Sequence, residues 1–332
     1  MGVAILGVGQ VSALGDGVEA LRAGLCGERL PAIFQQTVET PSGPVALPVY
    51  RAPLEGLSRF VQPRAVRRLD RLSRLALLSA HLALLDAGRP PVASERLGLV
   101  FGTGHGPQAT TFAFQDGLLE LGDRFASPTL FSGSVHNSLA SQVSIALQVE
   151  GPCQTVTCQG STTAEVLAMA RSWLAGGEVD LVLAGVGDEL SDPLCYAAAC
   201  LRDPARPVLE PLEFTTCSFA PGEGCVCWLL GTEDRAAHRG RIESIAVGRE
   251  VAPPKGAEAL FLAAAGDLGS ADGYHRLMRQ NLPTSAHAAL YGSMPAGLAF
   301  EIALAALSAG GGPIACAESS PGGPSSCVVV SP

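Results

Sequence analysis

Short apolar runs alternate along this chain with longer stretches in which apolar residues keep helical spacing. Residues 3–12 read as a buried strand ending in a tight turn, and Val18–Leu25 as a short helix. Residues 27–63 are rich in Pro and turn residues with little periodicity, and read as a loop-heavy excursion. Across Arg64–Ala87, Leu69, Leu72, Leu75, Leu78, Leu82 and Leu85 keep helical spacing, which predicts an amphipathic helix ended by Gly88. Its other side carries Arg64, Arg67, Arg71 and Arg74, either a solvated face or a surface for an acidic partner. Leu97–Phe101 predicts a strand running into a Gly-rich loop, and Thr110–Leu121 a helix. A Gly151-Pro152 breaker then precedes a short strand around Cys153–Cys158, a turn of small residues from Gly160 to Thr163, and a helix over Ala164–Ala175. Further on, Leu181–Gly187 and Arg241–Arg249 read as strands and Ala257–Ala265 as another apolar run. Gly292–Leu307 reads as a small-residue turn leading into a helix, and Cys327–Val330 as a closing strand.

Composition narrows the classes. At 332 residues with 47% hydrophobic and 16% charged positions, the chain has ample material for a large core and is not disordered. A net charge of −9 argues against nucleic acid as a partner. No apolar run reaches the roughly 18 residues that cross a bilayer, so no membrane is expected. Met1 leads straight into Val3-Ala4-Ile5-Leu6 with no basic n-region, which predicts a cytoplasmic protein whose ten cysteines stay thiols. Cys225 and Cys227 share a strand face, and no Cys or His spacing suggests a metal. Gly7-Val8-Gly9-Gln10-Val11-Ser12 lacks the third glycine of a dinucleotide fingerprint, and no cofactor is expected. Asp188 and Glu189 are adjacent at a strand end, so their side chains point apart and form no acid/base dyad.

The chemistry of the central stretch is more specific. A strand, a sharp turn and a helix N-terminus lift a nucleophile clear of a sheet and lower its pKa. The residue on that turn is Gly160. The run Gly151-Pro152, strand, Gly160-Ser161-Thr162 resembles the nucleophile turn of β-ketoacyl synthases, which have a thiolase-like fold. Counting from Gly151-Pro152, or back from Gly177-Glu178-Val179-Asp180, the family's cysteine falls on Gly160, with Gln159 one place before it. Several other segments resemble the family in order: Val11–Gly15, Gly102–Gly106, Ser127-Pro128 with an interface helix over Ser134–Ile145, and Leu181–Glu189. Phe219–Gly224, followed by a strand over Cys225–Leu230 and a short helix over Glu233–Gly240, completes the set.

The resemblance implies an α/β fold of two related halves in a five-layer α-β-α-β-α arrangement, residues 1–240 and a shortened 241–332. It places the family's two catalytic histidines at Ala265 and Ala289, and reduces the family's C-terminal gate to Pro321-Gly322-Gly323. It puts His105, Thr110, Thr111, Phe112, Phe114, Phe131 and His136 at the acyl tunnel and subunit interface. It puts Arg64, Arg67, Arg68 and Arg124 on the patch that docks acyl carrier protein. Three losses at one site point to abandoned chemistry. The implied function is that of a type II polyketide chain-length factor: an inactive ketosynthase homologue that pairs with an active ketosynthase and shapes its tunnel. The shortened C-terminal half resembles partners in highly reducing, polyene-making systems. An active acyltransferase using Cys158 with His105, His136 or His287, and a carrier-binding scaffold, are the alternatives.

Overall fold

The computed structural model describes residues 2–158, 160–203, 205–206, 208–235, 239–308 and 311–331. In chain order the elements are β1 (Val3–Ser12), β2 (Gly15–Asp16), α1 (Val18–Leu25), β3 (Ile33–Thr40), β4 (Gly43–Tyr50) and α2 (Arg71–Asp86). Then come β5 (Leu97–Gly102), α3 (Gln108–Leu121), α4 (Pro128–Ser134), α5 (Ser138–Leu147), β6 (Cys153–Val156), α6 (Thr162–Ala175), β7 (Leu181–Asp188), α7 (Asp192–Leu201) and β8 (Gly224–Thr232). The rest are β9 (Arg241–Gly248), β10 (Ala259–Leu262), α8 (Ala271–Met278), β11 (Thr284–Ser285), α9 (Ala288–Tyr291), α10 (Gly297–Leu307), β12 (Ile314–Ser319) and β13 (Ser325–Ser331).

The main sheet runs β11-β10-β12-β13-β9-β1-β8-β7-β5-β6. Numbering the five strands of each side in chain order gives the same sequence of neighbours, 3-2-4-5-1, read inward from either edge. Pairing senses match too: β5 is parallel to β6 and β7, and β10 to β11 and β12, while the remaining pairs on each side are antiparallel. The two sets meet at a short antiparallel contact, Val3 opposite Ile242 and Ala4 opposite Arg241. Between them lies the central layer of α6 and α10, the second buried at every position except Ala306. Helix α2 covers the outer face of the first set. Among the described residues, the outer face of the second carries only α8 and irregular chain, because residues 249–258, between β9 and β10, form no helix.

Every residue of β1 is buried, as expected for a strand covered on both faces. Gly7 and Gly9 owe their identity to α2: a Cβ on Gly7 would lie 2.5 Å from Ala83 O, and one on Gly9 would overlap Ser79 O. Those glycines serve helix–sheet packing.

Several expectations are corrected here. Residues 33–50 form a two-stranded hairpin, β3–β4, packed against α7 through Val38, Leu47 and Val49. Its outer strand is mostly polar and its inner one carries Pro44 and Pro48, so the alternation is blurred. Helix α2 starts at Arg71, not Arg64. Asp70 caps it, accepting from Ser73 N at 2.8 Å and Ser73 Oγ at 2.6 Å, and the residues before it are turns. The arginine stripe therefore does not exist as a helix face. Arg71 turns inward to Glu223, and Arg74 donates to Arg67 O at 3.2 Å. The interface helix expected over Ser134–Ile145 begins only at Ser138, as α5, because Ser134 closes α4, and the helix expected over Glu233–Gly240 falls partly on 236–238, outside the described residues.

Candidate functional site

The turn between β6 and α6 is built as its sequence suggests. Gly160 sits at φ +75°, and the Thr162 hydroxyl ties the turn by accepting from Cys158 N at 3.2 Å and donating to Cys158 O. Gln159 lies outside the described residues. The space a side chain at position 160 would need is already filled. A Cβ there would overlap Ser320 Oγ and Cβ and come within 3.2 Å of Pro324 O. Ser320 opens the β12–β13 turn, which also holds Pro321-Gly322-Gly323.

Beneath this contact lies a cavity of about 470 Å³ between the two halves, into which Cys158, Gly160 and His105 face from one side and Ala265, Tyr274 and Glu318 from the other. Of the three positions matched to the lost Cys-His-His set, Gly160 and Ala265 thus share one cavity. Ala289 lies on α9 and is not part of its wall; Met294, Pro295 and Gly297, just before and at the start of α10, are. His287 is engaged elsewhere, its Nδ1 2.6 Å from Glu301 Oε2, while Tyr291 donates to Glu301 Oε1 at 2.7 Å. Glu318 and Ser320 were missed as site residues because β12, Ile314-Ala-Cys-Ala-Glu-Ser, is small-residue chain with little strand signal, and Tyr274 because it sits on α8, which reaches the cavity only by packing on β10 and β12.

Buried carboxyls hold the walls. Asp188 Oδ1 accepts from Thr103 Oγ1 at 2.8 Å, Gly104 N at 2.9 Å and His105 N at 3.0 Å; burial raises its pKa. Glu189 points the other way, accepting from Leu72 N at 3.0 Å and Ala109 N at 2.9 Å, so it joins the first turns of α2 and α3. Burial pushes its pKa up to about 7. The two acids indeed diverge. Glu318, inside the cavity, accepts from Ser326 Oγ at 2.7 Å, and burial pushes it to about 7 as well. Tyr274 donates to Ala263 O at 2.8 Å, and burial raises its phenol. The cavity offers a ligand hydroxyls, the carboxyls of Asp267 and Glu318, one thiol and one imidazole.

A second group of expected residues meets on the surface, where α3 packs on α4 and α4 on α5, the helix that contacts β6. Thr111 Oγ1 lies 3.0 Å from Pro107 O and 3.1 Å from Ser134 O; the rings of Phe114 and Phe131 are 5.6 Å apart. Thr110 Cγ2 lies 3.2 Å from where a Cβ on Gly133 would stand, and the His136 ring rests on Gly106. No residue of α3 or α4 is fully buried, and Phe112, Leu119, Phe131 and Ile145 are exposed. His105 stands apart from this face, in the cavity. Arg64, Arg67, Arg68 and Arg124 are all exposed, the first three in the turns before α2 and the last in a 3-10 turn after α3.

A sequence model of the family "Beta-ketoacyl synthase, N-terminal domain" matches residues 2–236. The chain belongs to that family. It is 28% identical over 202 residues to "Putative polyketide beta-ketoacyl synthase 1" of Streptomyces virginiae, covering 56% of this chain and 47% of that protein. It is 29% identical over 195 residues to "3-oxoacyl-[acyl-carrier-protein] synthase 2" of Rhizobium meliloti (strain 1021), covering 54% and 46%. The matched stretch spans about half the length of these relatives. Among solved structures it resembles "The ishigamide ketosynthase/chain length factor", with TM-score 0.83 at 15% identity over 99% of this chain and 98% of that one. It also resembles "Ketosynthase (ApeO) in Complex with its Chain Length Factor (ApeC) from Xenorhabdus doucetiae", with TM-score 0.76 at 15% identity over 99% and 98%. The fold is the thiolase-like fold of ketosynthases. Among the described residues, no helix is long and apolar enough to cross a membrane.

Proposed function

We propose that this protein is a chain-length factor of a type II polyketide synthase. It does no condensation itself, pairs with an active ketosynthase subunit, and shapes the tunnel that holds the growing chain. The observation that carries the reading is position 160, where a nucleophile is absent and Ser320 fills its space. Claisen condensation needs a thiolate and donors for the enolate, and Gly160 and Ala265 supply neither. The unburied α3–α4 face beside the edge strand β6 supports a partner there. The exposed arginines Arg64, Arg67, Arg68 and Arg124 suit an acidic acyl carrier protein. Ketosynthase–chain length factor structures are among its fold neighbours. The shortened C-terminal half suits a highly reducing, polyene-making system.

A second reading rests on one observation: Cys158 and His105 line the same cavity. In that reading Cys158 is the nucleophile of an acyltransferase. Treating the isolated protein with cerulenin and mapping adducts by mass spectrometry separates the two. The chain-length-factor reading expects no stoichiometric adduct and co-purification with a neighbouring ketosynthase; a full adduct on Cys158 favours the enzyme.

A further inference from the structure

A second cleft lies away from the cavity, where the β3–β4 hairpin meets the approach to α2. It measures about 360 Å³ and is lined by Arg29, Arg51, Arg71, Phe34, Leu54 and Glu55. Three guanidinium groups and one carboxylate, Glu55, share this small space, so positive charge is in excess, and among the described residues only Arg71 is paired with a carboxylate at hydrogen-bond distance. Arg71 forks onto Glu223, with Nε 2.6 Å from Oε2, and donates to Ala52 O at 2.8 Å. Glu223 is fully buried, and its oxygens also accept from Ala52 N and Leu190 N. Arg51 approaches that carboxylate only to 3.9 Å. Among the described residues, neither Arg29 nor Arg51 donates a side-chain hydrogen bond, and Asp16 is engaged with Arg59 at 2.6 Å.

The position of Arg29 is prepared by the backbone. Its guanidinium rests over Gly15, where a Cβ would stand 2.8 Å from Nη2 and where φ is +110°. On the wall, Phe34 leaves 54% of its surface exposed, beside Ala13, Ala32 and Leu54. Charged forks beside an apolar wall define a ligand with both features.

We infer that this cleft binds an oxyanion, a phosphate monoester or a carboxylate, carried on a small aromatic or apolar body. A guanidinium presents paired N–H groups to two oxygens, and two such groups that spend no side-chain hydrogen bond within the described residues give the anion charge-assisted hydrogen bonds. The bound anion also removes the repulsion between Arg29 and Arg51. The apolar body packs on Phe34. The inference does not depend on the chain-length-factor reading, since the cleft shares no residue with the cavity.

The test is calorimetric titration of the full chain at low salt with phenyl phosphate, benzoate and inorganic phosphate. At least one ring-bearing anion is expected to saturate a single site and to bind about tenfold tighter than inorganic phosphate. The preferred head group identifies the source as phosphate or carboxylate. Arg29→Gln and Arg51→Gln, both at exposed positions, should each weaken binding about tenfold, while Arg249→Gln leaves it unchanged. Phe34→Ala should lower affinity for the ring-bearing anion alone. The inference is overturned if neither ring-bearing anion binds saturably, or if both arginine variants bind as the wild type does.

Discussion

Returning a cysteine to position 160 requires room that Ser320 already occupies and a backbone conformation, φ +75°, that side chains rarely adopt. Overpacking and left-handed strain each cost about 1–3 kcal/mol, so Gly160→Cys should lose about 2–6 kcal/mol in urea unfolding. Because one contact causes part of that loss, Gly160→Cys with Ser320→Gly should recover a measurable share of it. A Gly160→Cys variant with an unchanged unfolding midpoint would show that the β12–β13 turn yields freely. A second residue-scale prediction concerns Glu318. Its folded pKa, about 7, lies above the ordinary value of 4.5, so the native state holds its proton more firmly than the unfolded chain. Its contribution is therefore full below about pH 4.5 and is lost as pH rises towards 7, on the order of 3 kcal/mol in the limit. Glu318→Gln keeps an acceptor for Ser326 and cannot ionise. Between pH 5 and about 7.5 the wild type should lose more stability than the variant. Parallel pH profiles would refute the assignment. Glu189, also near 7, adds a slope common to both proteins.

At the scale of elements, α3 leaves Phe112, Leu119 and Leu121 exposed. In the chain-length-factor reading its exposed start faces the partner's tunnel. Phe114 meets Phe131 there, and Phe112 is 40% exposed. A phenyl ring cut to a methyl leaves room for several chain carbons, each worth about 0.8 kcal/mol when buried. Phe112→Ala or Phe114→Ala in the reconstituted complex should lengthen the products without slowing the partner's loading. Wild-type product length at full turnover in both variants rules out this helix as the tunnel floor. Elements of this kind were legible because their periodicity is local: β1, α1, α3 and β7 lie where the apolar pattern puts them. What the pattern could not reveal depends on distant residues. Arg71 looks like one member of a charged stripe until Glu223, 152 positions later, draws it inward. The start of α2 was hidden because leucine spacing continues back to Leu69, while the capping bond at Asp70 overrides it. The turn at Gly160 was legible, but Ser320 filling its space was not, since that contact joins opposite halves of the chain.

At the scale of the whole molecule, one sheet edge remains open. The β11 edge is two residues long, whereas β6 pairs with β5 on one side and with nothing on the other among the described residues. Pro152 O and Val156 O accept from Leu99 N at 2.8 Å and Thr103 N at 3.2 Å, so even-numbered residues of β6 turn their backbone groups towards β5. Cys153 and Thr155 therefore turn theirs outward. Continuation of the sheet into a ketosynthase partner would use those groups, each hydrogen bond worth about 0.5–1.5 kcal/mol, together with burial of Phe131, Val135 and Ile145. An interface of this kind is expected to bury about 2,000 Å² or more, the range of obligate pairs. Thr155→Pro removes one outward N–H and leaves the β5 ladder intact, a substitution that edge strands accept. It should preserve the melting curve of the isolated chain while markedly reducing recovery of the heterodimer by size-exclusion chromatography of the co-expressed pair. Undiminished co-elution of Thr155→Pro with the ketosynthase would remove β6 from the interface, and a wild-type chain that stays monomeric beside its cognate ketosynthase would remove the heterodimer itself.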